Sequence, residues 1–238
     1  MKKTIMKTVC FILIALILCG CQTHTTEPTS DEPFNNNTVS PKTISVNTEQ
    51  LMKATKELFD QTAKQVVEMK EQHQEDLINA VLTSETGANP DVIEAMHQEL
   101  QLAPPHVLQT LIDNNWKVIV CNGGLGAREG LPYSIAGSTY YDEKCCYIDN
   151  RITCPRRAGL HEIGHAIDNI YGDISQSEEF QVIYYEERYS FQDITSMGDG
   201  HESSDLREFF ASVYQNYIIN PDGYQYAPKA YDFVSHYM

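Results

Sequence analysis

The chain has 238 residues and a formal net charge of −16, with 33 acidic against 17 basic side chains. Such an acidic chain repels phosphate backbones, which argues against nucleic-acid binding. It also repels anionic lipid, which argues against membrane attachment through a polybasic segment. Beyond the N-terminal segments described next, about 190 residues remain, enough for one well-packed domain.

The first twenty residues have the pattern of an export signal. A basic start precedes an apolar run from Cys10 to Gly20, which is too short to span a bilayer permanently. The run ends in LCGC, which resembles a bacterial lipoprotein signal with cleavage before Cys21 and acylation of its sulfur. We therefore expect residues 1–20 to be removed and a lipid anchor to hold the protein on the extracellular face of the cell membrane. The alternative is a plain signal peptide with an incidental cysteine.

The next two segments differ in composition. Residues 21–47 are rich in Thr, Ser, Asn and Pro, which predicts a disordered tether. Residues 48–102 are predicted to be a helical region packed on the rest of the chain. Its first helix has apolar residues at helical spacing, and a second begins at Asn89-Pro90 and runs to Leu100. The apolar positions of the first helix are Leu51, Leu58, Phe59, Val66, Met69, Leu77 and Val81.

Short strands follow a third helix that begins at Pro104-Pro105 and ends near Asn114. The segment WKVIVC (residues 116–121) has a compact strand pattern. Residues 134–141 and 145–149 flank a polar turn, so we predict a hairpin there. Helical patterns return over residues 175–189, 205–219 and 228–237.

Four cysteines lie beyond the expected anchor: Cys121, Cys145, Cys146 and Cys154. Outside the cytosol they can pair in three ways. Cys145 and Cys146 are neighbours on a predicted strand and point to opposite faces, so a bridge between them would be strained and one involving Cys121 or Cys154 is favoured. The alternative is that the cysteines are small buried hydrophobic residues. A CxxC spacing is absent from the sequence, so a zinc ribbon or a redox motif is not supported.

The motif His161-Glu162-Ile163-Gly164-His165 stands at the start of a helical pattern. Residues four apart share one face of an α-helix, so His161 and His165 can bind one metal ion together. Glu162 is rotated by about one hundred degrees and points beside that ion, where it can act on a water molecule. Two surface histidines on a polar helix are the alternative, because HExxH is a short pattern.

A catalytic zinc site needs a third protein ligand. A metzincin would have glycine at position 168 and histidine at 171, but this chain has Asp168 and Tyr171, so a glutamate on a later helix is expected. Glu208 is the strongest candidate because its helix has a large apolar side, near which an unpaired charge would be costly. The alternative is that Glu208 has no metal-binding role and lies in the first turn of its helix because the helix dipole favours an acidic side chain there. The other candidates are Glu178, Glu179, Glu186, Glu187 and Glu202.

Residues from about Ala103 to Met238 resemble the catalytic domain of anthrax lethal factor and the small secreted Pro-Pro endopeptidases of clostridia and related bacteria. The matching pieces are APPHVLQTLIDNNWKVIV, IAGSTYYDEKCCYID, HEIGHAID and DLREFFASVYQNY. The resemblance implies an α+β, zincin-like metallopeptidase domain over residues 103–238, with a small mixed sheet, an HExxH helix and a helical C-terminal part. It implies one Zn²⁺ per chain, bound by His161, His165 and Glu208, with Glu162 as general base.

One departure from the family pattern concerns the oxyanion. The family commonly has a tyrosine seven residues before the third ligand, and this chain has His201 there. An imidazole N–H can also stabilise an oxyanion, so His201 is predicted to be catalytic. An exposed loop histidine is the alternative, and the nearby tyrosines Tyr184, Tyr185 and Tyr189 are other possible donors.

A second departure is Ser212, which stands where related sequences usually carry a carboxylate that orients a zinc-bound histidine. Serine supplies no charge, and Asp168 and Asp205 are candidates to take over that role. Ser212 therefore puts the level of activity in doubt more than metal binding.

The sequence predicts a zinc-dependent endopeptidase, monomeric and anchored at the bacterial surface, that hydrolyses peptide or protein substrates. The strand within residues 134–140 is expected to be a sheet edge to which an extended substrate adds. The resemblance implies proline-flanked bonds. Two alternatives remain: a catalytically weak or inactive zincin-fold lipoprotein that serves in binding or adhesion, and a zinc-scavenging lipoprotein, although the latter lacks a His-rich tract.

Overall fold

The computed structural model describes residues 48–131, 133–151, 158–192 and 204–238, of which residues 52 onward form one unit. The α-helices of these ranges are α1 (Thr48–Val81), α2 (Pro90–Leu100), α3 (Pro105–Asp113), α4 (Leu125–Arg128), α5 (Ala158–Ile170), α6 (Glu178–Gln192), α7 (Leu206–Ile219) and α8 (Pro228–Ser235). The strands are β1 (Leu82–Ser84), β2 (Lys117–Val120), β3 (Gly137–Tyr140) and β4 (Cys145–Ile148), and two 3₁₀ helices span Ile174–Gln176 and Pro221–Gln225. The expected α+β architecture is confirmed.

The four strands form one mixed sheet in the order β1-β2-β4-β3. Strand β2 pairs in parallel with β1 and β4, and β3 pairs antiparallel with β4. Alternate residues of β2 and β4 are buried in the core, namely Val118, Val120, Cys146 and Ile148, as expected for a sheet with one covered face. The predicted hairpin is therefore present, and its strand β3 lies at an edge of the sheet.

Strand β1 is an element that the hydrophobic pattern did not predict. Leu82 follows α1 directly, and Leu82–Ser84 pair with Val118–Val120. Three residues are too few to show the alternation of a strand, so the sequence pattern does not separate them from the preceding helix. The region predicted to be wholly helical thus contributes one strand to the sheet.

Helix α1 is present as predicted, but most of its apolar positions are not in the core. Leu77 and Val81 are buried, whereas Leu58 and Met69 are exposed and Phe59 is 72% exposed. Among the α1 side chains whose burial the structure describes, those in the core come from its C-terminal turns. Within the described ranges, no helix has both the length and the apolar character needed to cross a membrane.

Helices α5 and α7 cross at very short distance because Gly164 of α5 faces the backbone of α7. A Cβ atom added to Gly164 would lie 2.7 Å from the Cα of Ala211. Glycine is needed here for close approach of two backbones. The crossing places the first turns of α5 and α7 side by side.

Helix α2 holds the N-terminal end of α5 through a buried carboxylate. Glu99 Oε1 accepts a hydrogen bond from the Leu160 backbone N–H at 2.7 Å, and a Cβ atom on Gly159 would collide with Met96 Sδ. The first N–H groups of a helix lack partners within the helix, and a carboxylate also suits the positive end of the helix dipole. Glu99, which the sequence did not single out, thus helps to fix where α5 begins.

Replacing Glu99 with alanine is expected to lower the free energy of unfolding by about 1–3 kcal/mol, because it leaves a buried N–H group without its acceptor. Urea unfolding of the purified protein measures this loss. Glu94→Ala is the matched control, since Glu94 is an exposed acid on the same helix. Equal effects of the two substitutions would contradict the capping role of Glu99.

The described cysteines are free thiols: Cys121 and Cys146 are buried and Cys145 is half-buried. Burial raises the pKa of the Cys121 thiol and raises that of Cys146 well above its ordinary value. Cys121, which was favoured for a disulfide bridge, is thus unbridged in this structure, and the alternative of small buried hydrophobic residues fits Cys121 and Cys146. Cys154 lies outside the described residues, as do the expected signal peptide, the tether and Cys21.

Candidate metal centre

The structure brings together the three side chains predicted to bind a metal ion. His161 and His165 come from α5, and Glu208 comes from the first turn of α7. One ligand atom from each of the three lies within 4.8 Å of the others. His161 Nε2 is 3.1 Å from Glu208 Oε2, and His165 Nε2 is 3.5 Å from Oε1 of the same carboxylate.

This cluster fits a zinc ion by the chemistry and direction of its donors. Two imidazole nitrogens and one carboxylate are the protein ligands of one common class of catalytic zinc site. The rings of His161 and His165 meet edge to face with centroids 4.9 Å apart, and the Nε2 atoms of both point to one carboxylate. His165 is buried, and the other two ligands are half-buried. Because a carboxylate in such a place is costly without a cation, a divalent ion suits the site.

The position of Glu208 is fixed by the N-cap of α7. The Asp205 side chain accepts hydrogen bonds from the backbone N–H groups of Arg207 and Glu208, at 2.8 and 3.1 Å. Such a cap starts the helix at a defined residue. The Arg207 guanidinium lies 5.2 Å from the centre of the Tyr141 ring and pairs with Asp173. The start of α7 is thus tied to the β3–β4 hairpin and to the loop after α5.

The two aspartates proposed as substitutes for a histidine-orienting carboxylate have other partners. Asp205 caps α7, and Asp168 accepts hydrogen bonds from the Ser175 N–H and hydroxyl, both at 2.7 Å. Burial raises the pKa of Asp168, although these hydrogen bonds oppose the rise. The Ser212 hydroxyl itself lies 3.4 Å from the His161 Nδ1 atom.

Glu162 is buried against the edge strand of the sheet. Its Oε2 atom accepts a hydrogen bond from Thr139 Oγ1 at 2.6 Å, and a Cβ atom on Gly137 would lie 2.5 Å from its Oε1 atom. Sequence analysis predicted the hairpin but did not single out Gly137 or Thr139. Their two-residue spacing on the predicted strand places both on one face of the sheet, but it does not identify the side chain that this face meets.

The other predicted residues lie apart from the cluster or outside the described ranges. His201 and Glu202 belong to residues 193–203, which the structure does not describe. The remaining glutamates are spread along α6: Glu178 and Glu179 are exposed, Glu186 pairs with Lys229, and Glu187 accepts hydrogen bonds from the Lys229 and Ala230 N–H groups.

The three tyrosines considered as oxyanion donors surround one arginine on α6. Tyr184 is buried against Phe209, and Tyr185 and Tyr189 are exposed. The Arg188 guanidinium lies 4.6 to 5.2 Å from the centres of the three rings. His201 stays the predicted oxyanion donor, and the three tyrosines stay its alternatives.

Comparison with known proteins finds a family similarity in the C-terminal part. The sequence model described as "Anthrax toxin lethal factor, N- and C-terminal domain" matches residues 153–237, which contain the HEIGH motif and Glu208. This segment is therefore similar to the lethal factor family. The resemblance noted in the sequence is thereby confirmed.

The zincin-like fold is also confirmed by a solved structure. The Pro-Pro endopeptidase PPEP-2 from Paenibacillus alvei superposes with a TM-score of 0.55 and 19% sequence identity. The similarity covers 68% of this chain and 100% of that one. By sequence alone, no curated protein matches the chain. At this level of identity the likeness to the endopeptidase establishes the fold of the zincin domain.

Proposed function

We propose that this chain is a zinc-dependent endopeptidase. The observation that carries the proposal is the cluster of His161, His165 and Glu208, whose ligand atoms lie within 4.8 Å of one another beside a buried Glu162. The cluster occurs on a zincin fold shared with a Pro-Pro endopeptidase. The chain supplies both a metal site and an acid that can transfer protons.

The side chains of the site have different proposed roles in peptide hydrolysis. A zinc ion bound by His161, His165 and Glu208 would polarise the scissile carbonyl and lower the pKa of a coordinated water. Glu162 takes a proton from the attacking water and delivers it to the leaving amine. His201 is the proposed hydrogen-bond donor to the oxyanion.

Strand β3 is the proposed binding site for the substrate backbone. It lies at the edge of the sheet, with Thr139 next to the Glu162 carboxylate. An extended peptide can pair with such an edge as an additional strand, which favours unfolded or loop segments of proteins as substrates. We further propose one zinc ion per monomeric chain, a preference for proline-flanked bonds, and attachment to the cell surface through Cys21.

A peptide-library digest read by mass spectrometry tests the activity. Cleavage by the wild-type protein is expected to stop with a zinc chelator and to return when zinc is added. Glu162→Gln is expected to keep its zinc and to lower kcat by about 10²- to 10⁴-fold, the usual contribution of general acid–base catalysis. Glu178→Gln is the matched control because Glu178 is exposed on α6. Full activity of Glu162→Gln would refute the assigned role.

A second candidate function is a zincin-fold lipoprotein that binds its target without cutting it. Ser212 favours this alternative, because a neutral hydroxyl instead of a carboxylate faces His161. The same digest separates the two functions. A folded, zinc-loaded protein that cuts no peptide in the library would support binding over hydrolysis.

A further inference from the structure

Thr139 makes a short hydrogen bond to the side chain proposed as catalytic base. The Thr139 Oγ1 atom lies 2.6 Å from Glu162 Oε2, within the range of hydroxyl donors to charged carboxylates. The other acceptors around this hydroxyl are farther away: the Glu162 carbonyl oxygen at 3.3 Å and Cys146 Sγ at 3.8 Å. Because the hydroxyl has one proton, the carboxylate is its principal acceptor.

Gly137 leaves the space that the same carboxylate occupies. A Cβ atom at position 137 would lie 2.5 Å from Glu162 Oε1 and 2.6 Å from Glu162 Cγ, closer than packed atoms approach each other. Gly137 and Thr139 are two residues apart on β3, so they face the same side of the sheet. We call these two residues the carboxylate seat, in which glycine supplies the space and threonine supplies the donor.

The main chain of Glu162 is tied to the same hairpin. Cys146 on β4 is the cross-strand partner of Thr139, and its Sγ atom lies 3.3 Å from the Glu162 carbonyl oxygen, to which the thiol donates. Glu162 is therefore linked to β3 through its side chain and to β4 through its backbone. This arrangement couples the orientation of the carboxylate to the strand proposed to bind substrate.

We propose that Thr139 is a positioning residue for catalysis, whose hydroxyl holds Glu162 in the orientation that proton transfer requires. The inference rests on the proposed peptidase function and adds the residue that orients its base. Thr139 reaches the reaction through Glu162, so its loss affects kcat more than KM. A displacement of about 1 Å at a reacting group can lower the rate by about 10²-fold.

Three substitutions distinguish the effect of the Thr139 hydroxyl on catalysis from the effect of side-chain packing. Thr139→Val replaces the hydroxyl with a methyl group, Thr139→Ala removes both γ-substituents, and Thr139→Ser keeps the hydroxyl. We expect valine and alanine to lower kcat by about 10- to 100-fold with unchanged KM and zinc content, and serine to restore most of the rate. Thr110→Val is the control, since that hydroxyl donates to the His106 carbonyl within its own helix.

Crystal structures of the zinc-free variants give a readout that does not depend on activity. We expect Glu162 Oε2 to stay within hydrogen-bond distance of the residue 139 hydroxyl in Thr139→Ser and to move away from β3 in Thr139→Ala. If the valine variant fails to fold, the alanine and serine variants still test whether the hydroxyl holds Glu162. An unmoved carboxylate in Thr139→Ala would overturn the inference.

The kinetic outcomes separate this inference from the proposed function. Full kcat in Thr139→Val and Thr139→Ala, alongside an inactive Glu162→Gln, would overturn the role of Thr139 and leave the peptidase intact. Equal losses in the alanine and serine variants would also overturn it, because packing and not the hydroxyl would then be responsible. Absence of zinc-dependent cleavage by the wild type would refute the peptidase, while the crystal structures would still report whether Thr139 holds Glu162.

Discussion

Glu208→Ala is expected to release the zinc ion and to abolish peptide cleavage. Glu208 is the acid whose oxygens lie 3.1 and 3.5 Å from the two histidine Nε2 atoms, so its loss leaves two protein ligands where a catalytic zinc site needs three. The loss of affinity should exceed the roughly 10- to 100-fold that follows removal of a group supporting a ligand. Metal analysis and competition with a chromogenic chelator measure it.

Glu179→Ala provides the control for Glu208→Ala, because Glu179 was also a candidate ligand and is exposed on α6. It is expected to bind zinc and cleave peptides like the wild type. Zinc bound at wild-type affinity by Glu208→Ala would show that another acid is the third ligand. It would also remove the main support for the peptidase proposal.

Gly164→Ala is expected to destabilise the fold and to weaken zinc binding together. The added Cβ would lie 2.7 Å from the Ala211 Cα and 3.1 Å from its carbonyl oxygen, both backbone atoms of α7. Overpacking of this kind costs about 1–3 kcal/mol, against a helix-propensity gain of about 1 kcal/mol for replacing glycine with alanine. Separation of α5 from α7 also moves Glu208 away from the two histidines, so zinc cannot fully restore stability.

Thermal unfolding with and without added zinc measures both effects of Gly164→Ala. Each kcal/mol of lost unfolding free energy should lower Tm by about 2–4 °C for a chain of this size. Gly123→Ala is the matched control, since a Cβ atom there has no neighbour within 4 Å. A Gly164→Ala protein with wild-type Tm and zinc affinity would mean that the helix crossing adapts without cost.

The sequence predicted the elements whose signals are local. The spacing of His161 and His165 places both side chains on one face of any α-helix. The strand pattern around Cys145 and Cys146 is regular enough to predict the hairpin. The choice of Glu208 depended on a carboxylate beside an apolar helix face. The structure brings these residues together, as the spacing and the helix pattern suggested.

The features that could not be predicted depend on the tertiary arrangement. Strand β1 is too short for a periodic signal, and nothing local in Glu99 indicates that it accepts a hydrogen bond from the first turn of α5, from a residue 61 positions later in the chain. The apolar positions of α1 predicted the helix but not that Phe59 would be exposed, because periodicity does not identify the partner of a helix face. The carboxylate seat likewise requires the register of β3 against α5.

Strand β1 and Glu99 also determine how far the protein can be trimmed. The match to the lethal factor family begins at residue 153, yet Val118–Val120 pair with Leu82–Ser84, and Leu160 depends on an acceptor from α2. A fragment that begins at residue 153 would lack all four described strands, and one that begins at residue 103 would still lack β1 and the Glu99 acceptor for the Leu160 N–H group. A shortened protein that keeps the complete described sheet and this acceptor must therefore start upstream of Leu82.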